Sequence, residues 1–145
     1  MKKLYIFANE VDPEFRDISV AIVMYYCSAF EEKLQLLAPG IRLDYLAWSN
    51  RSDEIGVAYR YCGPSKKEFY RLVDKIDEEL SDEGLAKIIS DYWRNNFDEF
   101  IERTKEVKWS DYGCEAPNKE EFIRKLSRDN VAKILNSIIT NIINE

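Results

Sequence analysis

The chain has no histidine among its 145 residues. That absence removes the commonest general base at neutral pH, the commonest side-chain metal ligand and every Ser-His or Cys-His nucleophile pair. It also removes the simplest pH switch. Cysteine is scarce and odd in number: Cys27, Cys62 and Cys114 include no C-x-x-C pair, which suits a reducing cytoplasm better than a disulfide framework. Cys27 falls on an apolar stripe, and Asp111 and Glu115 flank Cys114 and would raise its thiol, so no cysteine nucleophile is expected. No G-x-G-x-x-G, P-loop or G-x-S-x-G occurs. The acids around Gly84 do not follow the spacing of a calcium loop, so neither metal nor cofactor is expected.

Long hydrophobic runs are missing too. The densest apolar stretch, residues 18–30, is broken by Ser19 and Ser28 and is too short to span a bilayer. The first fifteen residues offer two lysines and a short apolar run, where a secretory signal needs a longer one and a small-residue cleavage site. The expectation is a soluble, cytoplasmic chain.

What is present suffices for one domain over residues 1–145. Hydrophobic residues make up 46% and aromatics 13%, ample for a core at this length. The formal charge is −6, and it is not spread evenly. Residues 74–102 hold ten acids against three bases, while residues 1–73 balance and residues 103–145 are slightly basic. One acidic element on a nearly neutral body disfavours nucleic acid and anionic lipid and favours a basic protein partner.

Along the chain, Leu4 to Phe7 read as a short buried strand, and Asp12-Pro13 as a helix start. Two apolar stripes from Phe15 to Leu34 predict a helix buried nearly all round, stopped at Pro39-Gly40. Alternation from Ile41 to Trp48 and from Ile55 to Cys62, across a turn at residues 49–53, predicts an antiparallel hairpin. Ser65-Lys66-Lys67-Glu68 is a capping box for a helix on Phe69, Leu72, Val73, Ile76 and Leu80. A break at residues 81–84 and a second helix through Ile101 follow. Asn118 starts another helix, and a seam of Val131, Ile134, Leu135, Ile138, Ile139, Ile142 and Ile143 predicts a final one. The fold class is therefore α+β: a small, mostly antiparallel sheet (N-terminal strand plus hairpin) packed against about five helices, with a helical C-terminal half.

Asp77, Glu78, Glu79, Asp82 and Glu83 surround the break between the two acidic helices and are the candidate steering surface for a partner. As plain solvated surface, they would be carboxylates favourably placed near the second helix's N-terminus. Trp109, Asp111 and Tyr112, in a polar loop, are the candidate anchor; the alternative is that Trp109 packs its loop down. Together these features point to a protein-binding inhibitor of immunity type, a monomer or weak dimer whose acidic surface neutralises a basic toxin such as a nuclease. The rival readings are a carboxylate-based hydrolase, which needs two acids across a cleft, a regulatory adaptor or phosphate-mimicking antagonist of a nucleic-acid-binding protein, and a subunit that assembles through the Ile-rich tail.

Overall fold

The computed structural model describes residues 2–49, 53–82 and 84–144. Glu83, the side chain of Asp82 and residues 50–52 of the expected turn lie outside the described residues. Strand β1 (Lys2–Ala8) leads to helix α1 (Arg16–Leu37), then to the hairpin strands β2 (Arg42–Trp48) and β3 (Ile55–Cys62). Helices α2 (Lys66–Asp82), α3 (Leu85–Arg94), α4 (Phe97–Arg103), α5 (Lys119–Lys125) and α6 (Arg128–Asn136) follow, and strand β4 (Ile138–Asn144) ends the order. The four strands form one antiparallel sheet in the order β2-β3-β1-β4. That connectivity is the split β-α-β plan of ferredoxin-like domains, with helices α3 to α6 added before the last strand.

Local chemistry explains the boundaries. Asp12 accepts a hydrogen bond from the Glu14 N–H and Pro13 opens a 3₁₀ turn, which hands the chain into α1. Within α1, residues 17–24 are all buried, as two apolar stripes require of a helix at the centre of the core. The Ser65 hydroxyl accepts the Glu68 N–H and starts α2. Asn118 and Ser127 do the same for α5 and α6.

The sheet lays Leu4, Ile6, Val57, Tyr59 and Tyr61 against the helices. Gly56 on β3 faces Phe7 on β1 so closely that an added Cβ would stand 2.3 Å from the Phe7 Cβ; only glycine fits there. A bulge between Tyr45 and Ala47 shifts the register of β2, so the simple alternation expected through Trp48 is broken there. At the far end of the core, Phe100 packs against Trp93, Phe122 and Trp109 with ring centroids 4.8–6.1 Å apart, tying α3, α4, α5 and the 3₁₀ turn 109–112 together. Each such aromatic pair adds about 0.5–1.5 kcal/mol beyond its burial.

The helix expected through Ile101 is split into α3 and α4, and the expected final helix is overturned. Ile138 to Ile143 are not the end of a helix but lie in β4, paired along β1 from Lys2↔Asn144 to Ala8↔Ile138. Helix α6 stops at Asn136, with the Ser137 N–H closing on the Ile134 carbonyl. The run Ile-Ile-Thr-Asn-Ile-Ile is dense in β-branched residues, which lose rotamer freedom in a helix, and the second edge of β1 needs a partner. Ile139 and Ile143 consequently stand on the sheet's outer face, 40% and 51% exposed.

Candidate functional site

Helix α2 buries Phe69, Val73, Ile76 and Leu80. The intervening positions Asp74, Asp77 and Glu78 are therefore exposed, and Glu79 is half-buried. Because α2 continues to Asp82, these carboxylates occupy its C-terminal half rather than the N-terminus of the next helix. The favourable placement expected for a solvated face is thus corrected to an unfavourable one. The C-terminal end of a helix carries partial negative charge, and no base sits in the last turn of α2 to offset it.

The acids of α3 and α4 are handled differently. Lys87 pairs with Asp91 at 3.7 Å, Arg103 with Glu99 at 3.9 Å and Lys105 with Glu102 at 2.9 Å. The Tyr92 hydroxyl also donates to Glu99 at 2.6 Å. Asp98 lies in the first turn of α4, on the positive end of that helix. Among the described residues, Asp74, Asp77, Glu78 and Glu79 make no ion pair.

Beside this unpaired group lies a cleft of about 360 Å³. Tyr26 and Asp77 form one polar wall; Leu80 and Leu85 flank the α2–α3 bend; Leu135, Asn136 and Ile138 come from the α6–β4 junction. The Tyr26 hydroxyl donates to Asp77 Oδ1, so one carboxylate oxygen turns inward while the residue as a whole is exposed. Burial raises the Asp77 carboxyl above the ordinary Asp range; the bond from Tyr26 pulls the other way, and the Asp74 charge adds to the rise. Burial, and then the Asp77 carboxylate, push the Tyr26 phenol well above its ordinary value.

The loop expected to present an aromatic anchor does not do so. Trp109 is 9% exposed and Tyr112 5%, so both belong to the core and the alternative reading of that loop holds. The Tyr112 hydroxyl donates to the Ser49 carbonyl at 2.7 Å, and Arg16 donates to the Tyr112 carbonyl at 2.8 Å, fastening the loop to the hairpin and to α1. Asp111 stays exposed, on a separate groove of about 460 Å³ that also holds Glu106, Arg103 and Lys108. The structure therefore gathers Asp77, Glu78 and Glu79 on α2 and assigns Trp109, Asp111 and Tyr112 elsewhere.

Other chemistry is sparse. Among the described residues no three cysteine or carboxylate side chains gather to hold a metal ion, and no helix is long and apolar enough to cross a membrane. All three cysteines are free; burial pushes the Cys27 thiol up to about 12 and raises Cys114 as well. For Cys114, burial outweighs the neighbouring charges, and the acid that adds to the rise is Asp17.

Sequence reasoning missed Tyr26 and the apolar walls of the cleft. Tyr26 falls between the two stripes of α1, and a hydroxyl on a helix buried all round must find an acceptor; that requirement was the available signal. Scans of the chain against protein-family models, curated proteins and solved structures found no match in any of the three.

Proposed function

We propose that this chain is a protein-binding inhibitor of immunity type, whose acidic surface on α2 covers the basic site of a partner such as a nuclease toxin. One observation carries the reading: among the described residues Asp74, Asp77, Glu78 and Glu79 form no ion pair along the C-terminal half of α2, and Glu79, in its last turn, also meets the negative end of the helix dipole. Their repulsion destabilises the free protein, and a cationic partner surface relieves it. Natural sequences break a local rule of this kind mainly where function requires it. The field of such a group also speeds encounter with a basic partner and rejects acidic ones. Nucleic acid and anionic membranes carry the wrong sign to be that partner. Three unpaired thiols support the reading that the protein works in a reducing compartment such as the cytoplasm.

The test is capture of partners on tagged full-length protein from its native cells, at low and at moderate salt, followed by association kinetics with the captured species. Wild type holds one basic protein in stoichiometric amount. The variant carrying Asp74→Lys, Glu78→Lys and Glu79→Lys associates with it about tenfold more slowly, with a shallower dependence on salt. Unchanged kinetics in that variant would remove the interface from α2.

A further inference from the structure

The cleft at the α2–α3 bend has a composition that a merely solvated acidic face does not need. Part of its wall is aliphatic (Leu80, Leu85, Leu135 and Ile138), its described lining holds a single carboxylate, Asp77, and the Tyr26 hydroxyl holds one oxygen of that carboxylate in place. The other carboxylate oxygen accepts no hydrogen bond among the described residues, and no base on the described lining neutralises the charge.

The surrounding backbone reinforces the sign. Two helices end on this cleft: α2, through Leu80 and Ser81, and α6, through Leu135 and Asn136. Each contributes a C-terminal dipole end of about −0.5 charge. The N-terminus of α3, at Leu85 and Ala86, lies on the same rim and opposes them with about +0.5. With Asp77 ionised, the balance is roughly −1.5 charge over a half-apolar hollow.

A small anion is repelled from such a site, and a purely apolar group would desolvate Asp77 without replacing its water. Lysine and arginine side chains are built for this mixture, because their methylene stems bury against apolar surface while the head stays with polar groups. We propose that the cleft receives one lysine or arginine side chain of the partner, its stem against Leu80, Leu85, Leu135 and Ile138 and its head on the Asp77 carboxylate. The source of that side chain rests on the inhibitor reading above; the cation specificity rests on the cleft alone. The acids Asp74, Glu78 and Glu79 then steer the encounter, and Asp77 fixes its register.

The experiment is methyl-detected NMR of the full chain titrated with N-acetyl-arginine amide, and in parallel with its neutral isostere N-acetyl-citrulline amide. The expected result is a saturable shift of the Leu80, Leu85, Leu135 and Ile138 methyls, with a dissociation constant on the order of millimolar. The citrulline probe should bind about tenfold more weakly, and Asp77→Asn should bring the arginine probe to the same level. The asparagine still accepts the Tyr26 hydroxyl, so the fold of that variant is retained, and its unperturbed spectrum away from the cleft checks this. No saturable shift, or equal shifts with both probes, would overturn the proposal and leave the inhibitor reading to the capture experiment. A positive arginine arm with no basic partner held by wild type would instead overturn the protein source of the side chain.

Discussion

The C-terminal half of α2 and the α3–α4 segment are one acidic stretch in the sequence, yet they are two different objects in the structure. On α3, on α4 and just beyond its end, Lys87, Arg103 and Lys105 stand one turn from Asp91, Glu99 and Glu102 and pair with them. On α2, Lys75 is one turn from Glu78 and Glu79, but among the described residues it forms no ion pair with either. The paired acids cancel much of their own field and support their helix by a few tenths of a kcal/mol each. The unpaired ones keep their field, and Glu79, in the last turn, also works against the helix dipole. Net charge per segment therefore says little about which carboxylates are available to a partner; the spacing of the bases decides it.

The first way to break that comparison is to set its scale with a pair that is buried. Asp17 and Lys125 meet at 2.7 Å between α1 and α5, nearly out of solvent, and Lys125 also donates to the Glu14 carbonyl at 3.0 Å. Lys125→Met leaves the Asp17 charge without its cation, so urea unfolding should show a loss of about 3 kcal/mol. A loss below about 1 kcal/mol would mean that pairing matters less here than the comparison holds.

Next in size come two matched triple reversals, which should move stability in opposite directions. Asp74→Lys, Glu78→Lys and Glu79→Lys relieve the repulsion among the acids of α2, and the bases at 78 and 79 also meet the negative end of the helix, so unfolding free energy should rise by about 1 kcal/mol. Asp91→Lys, Glu99→Lys and Glu102→Lys break three pairs and should lower it by about 1 kcal/mol. Their effects on partner association should be inverted: about tenfold slower for the α2 set, and within about twofold for the α3–α4 set. If both sets shift stability with the same sign, the division of the acidic element into two parts is wrong.

Much of the scaffold was legible in the sequence, and the misses share a cause. The capping residues Asp12, Ser65 and Asn118 and the stop at Pro39-Gly40 mark real boundaries, because each satisfies or forbids a backbone hydrogen bond locally. The hairpin followed from alternation, and the break after α2 from Gly84, which adopts a positive φ of 64°. The tail from Ile138 was misread because isoleucines at positions 138, 139, 142 and 143 fit a helical stripe as well as a strand. What decides between the two is the open edge of β1, more than a hundred residues away in sequence. The same limit hid the cleft. Asp77 is visible in sequence as an acid, but its partner Tyr26 lies on another helix, and its apolar walls come from the α2–α3 bend and from both sides of a junction whose sequence fits a continuous helix. The loop at Trp109 looks exposed in sequence because its neighbours are polar; Phe100 on α4 and the Ser49 carbonyl, 63 residues before Tyr112, bury it.

The smallest expected effect separates Asp77 from its neighbours on α2. Its carboxyl is raised in the folded protein, chiefly by burial, so the protonated form is the better fit to the cleft. The stability that Asp77 contributes is accordingly full below the ordinary Asp range and is lost as pH rises through its folded value. Asp77→Asn imitates the protonated form at every pH. Its melting temperature should exceed that of wild type at neutral pH and converge on it near about pH 3, where the carboxyl is protonated in both folded and unfolded chains. Glu78→Gln, with no inward contact, should show no such convergence, only the slight gain of removing one charge from the end of α2. A scan of melting temperature against pH for the two variants reads the difference directly. If Asp77→Asn melts below wild type at neutral pH, the charged carboxylate is a support of the fold rather than a strained group held ready for a cation.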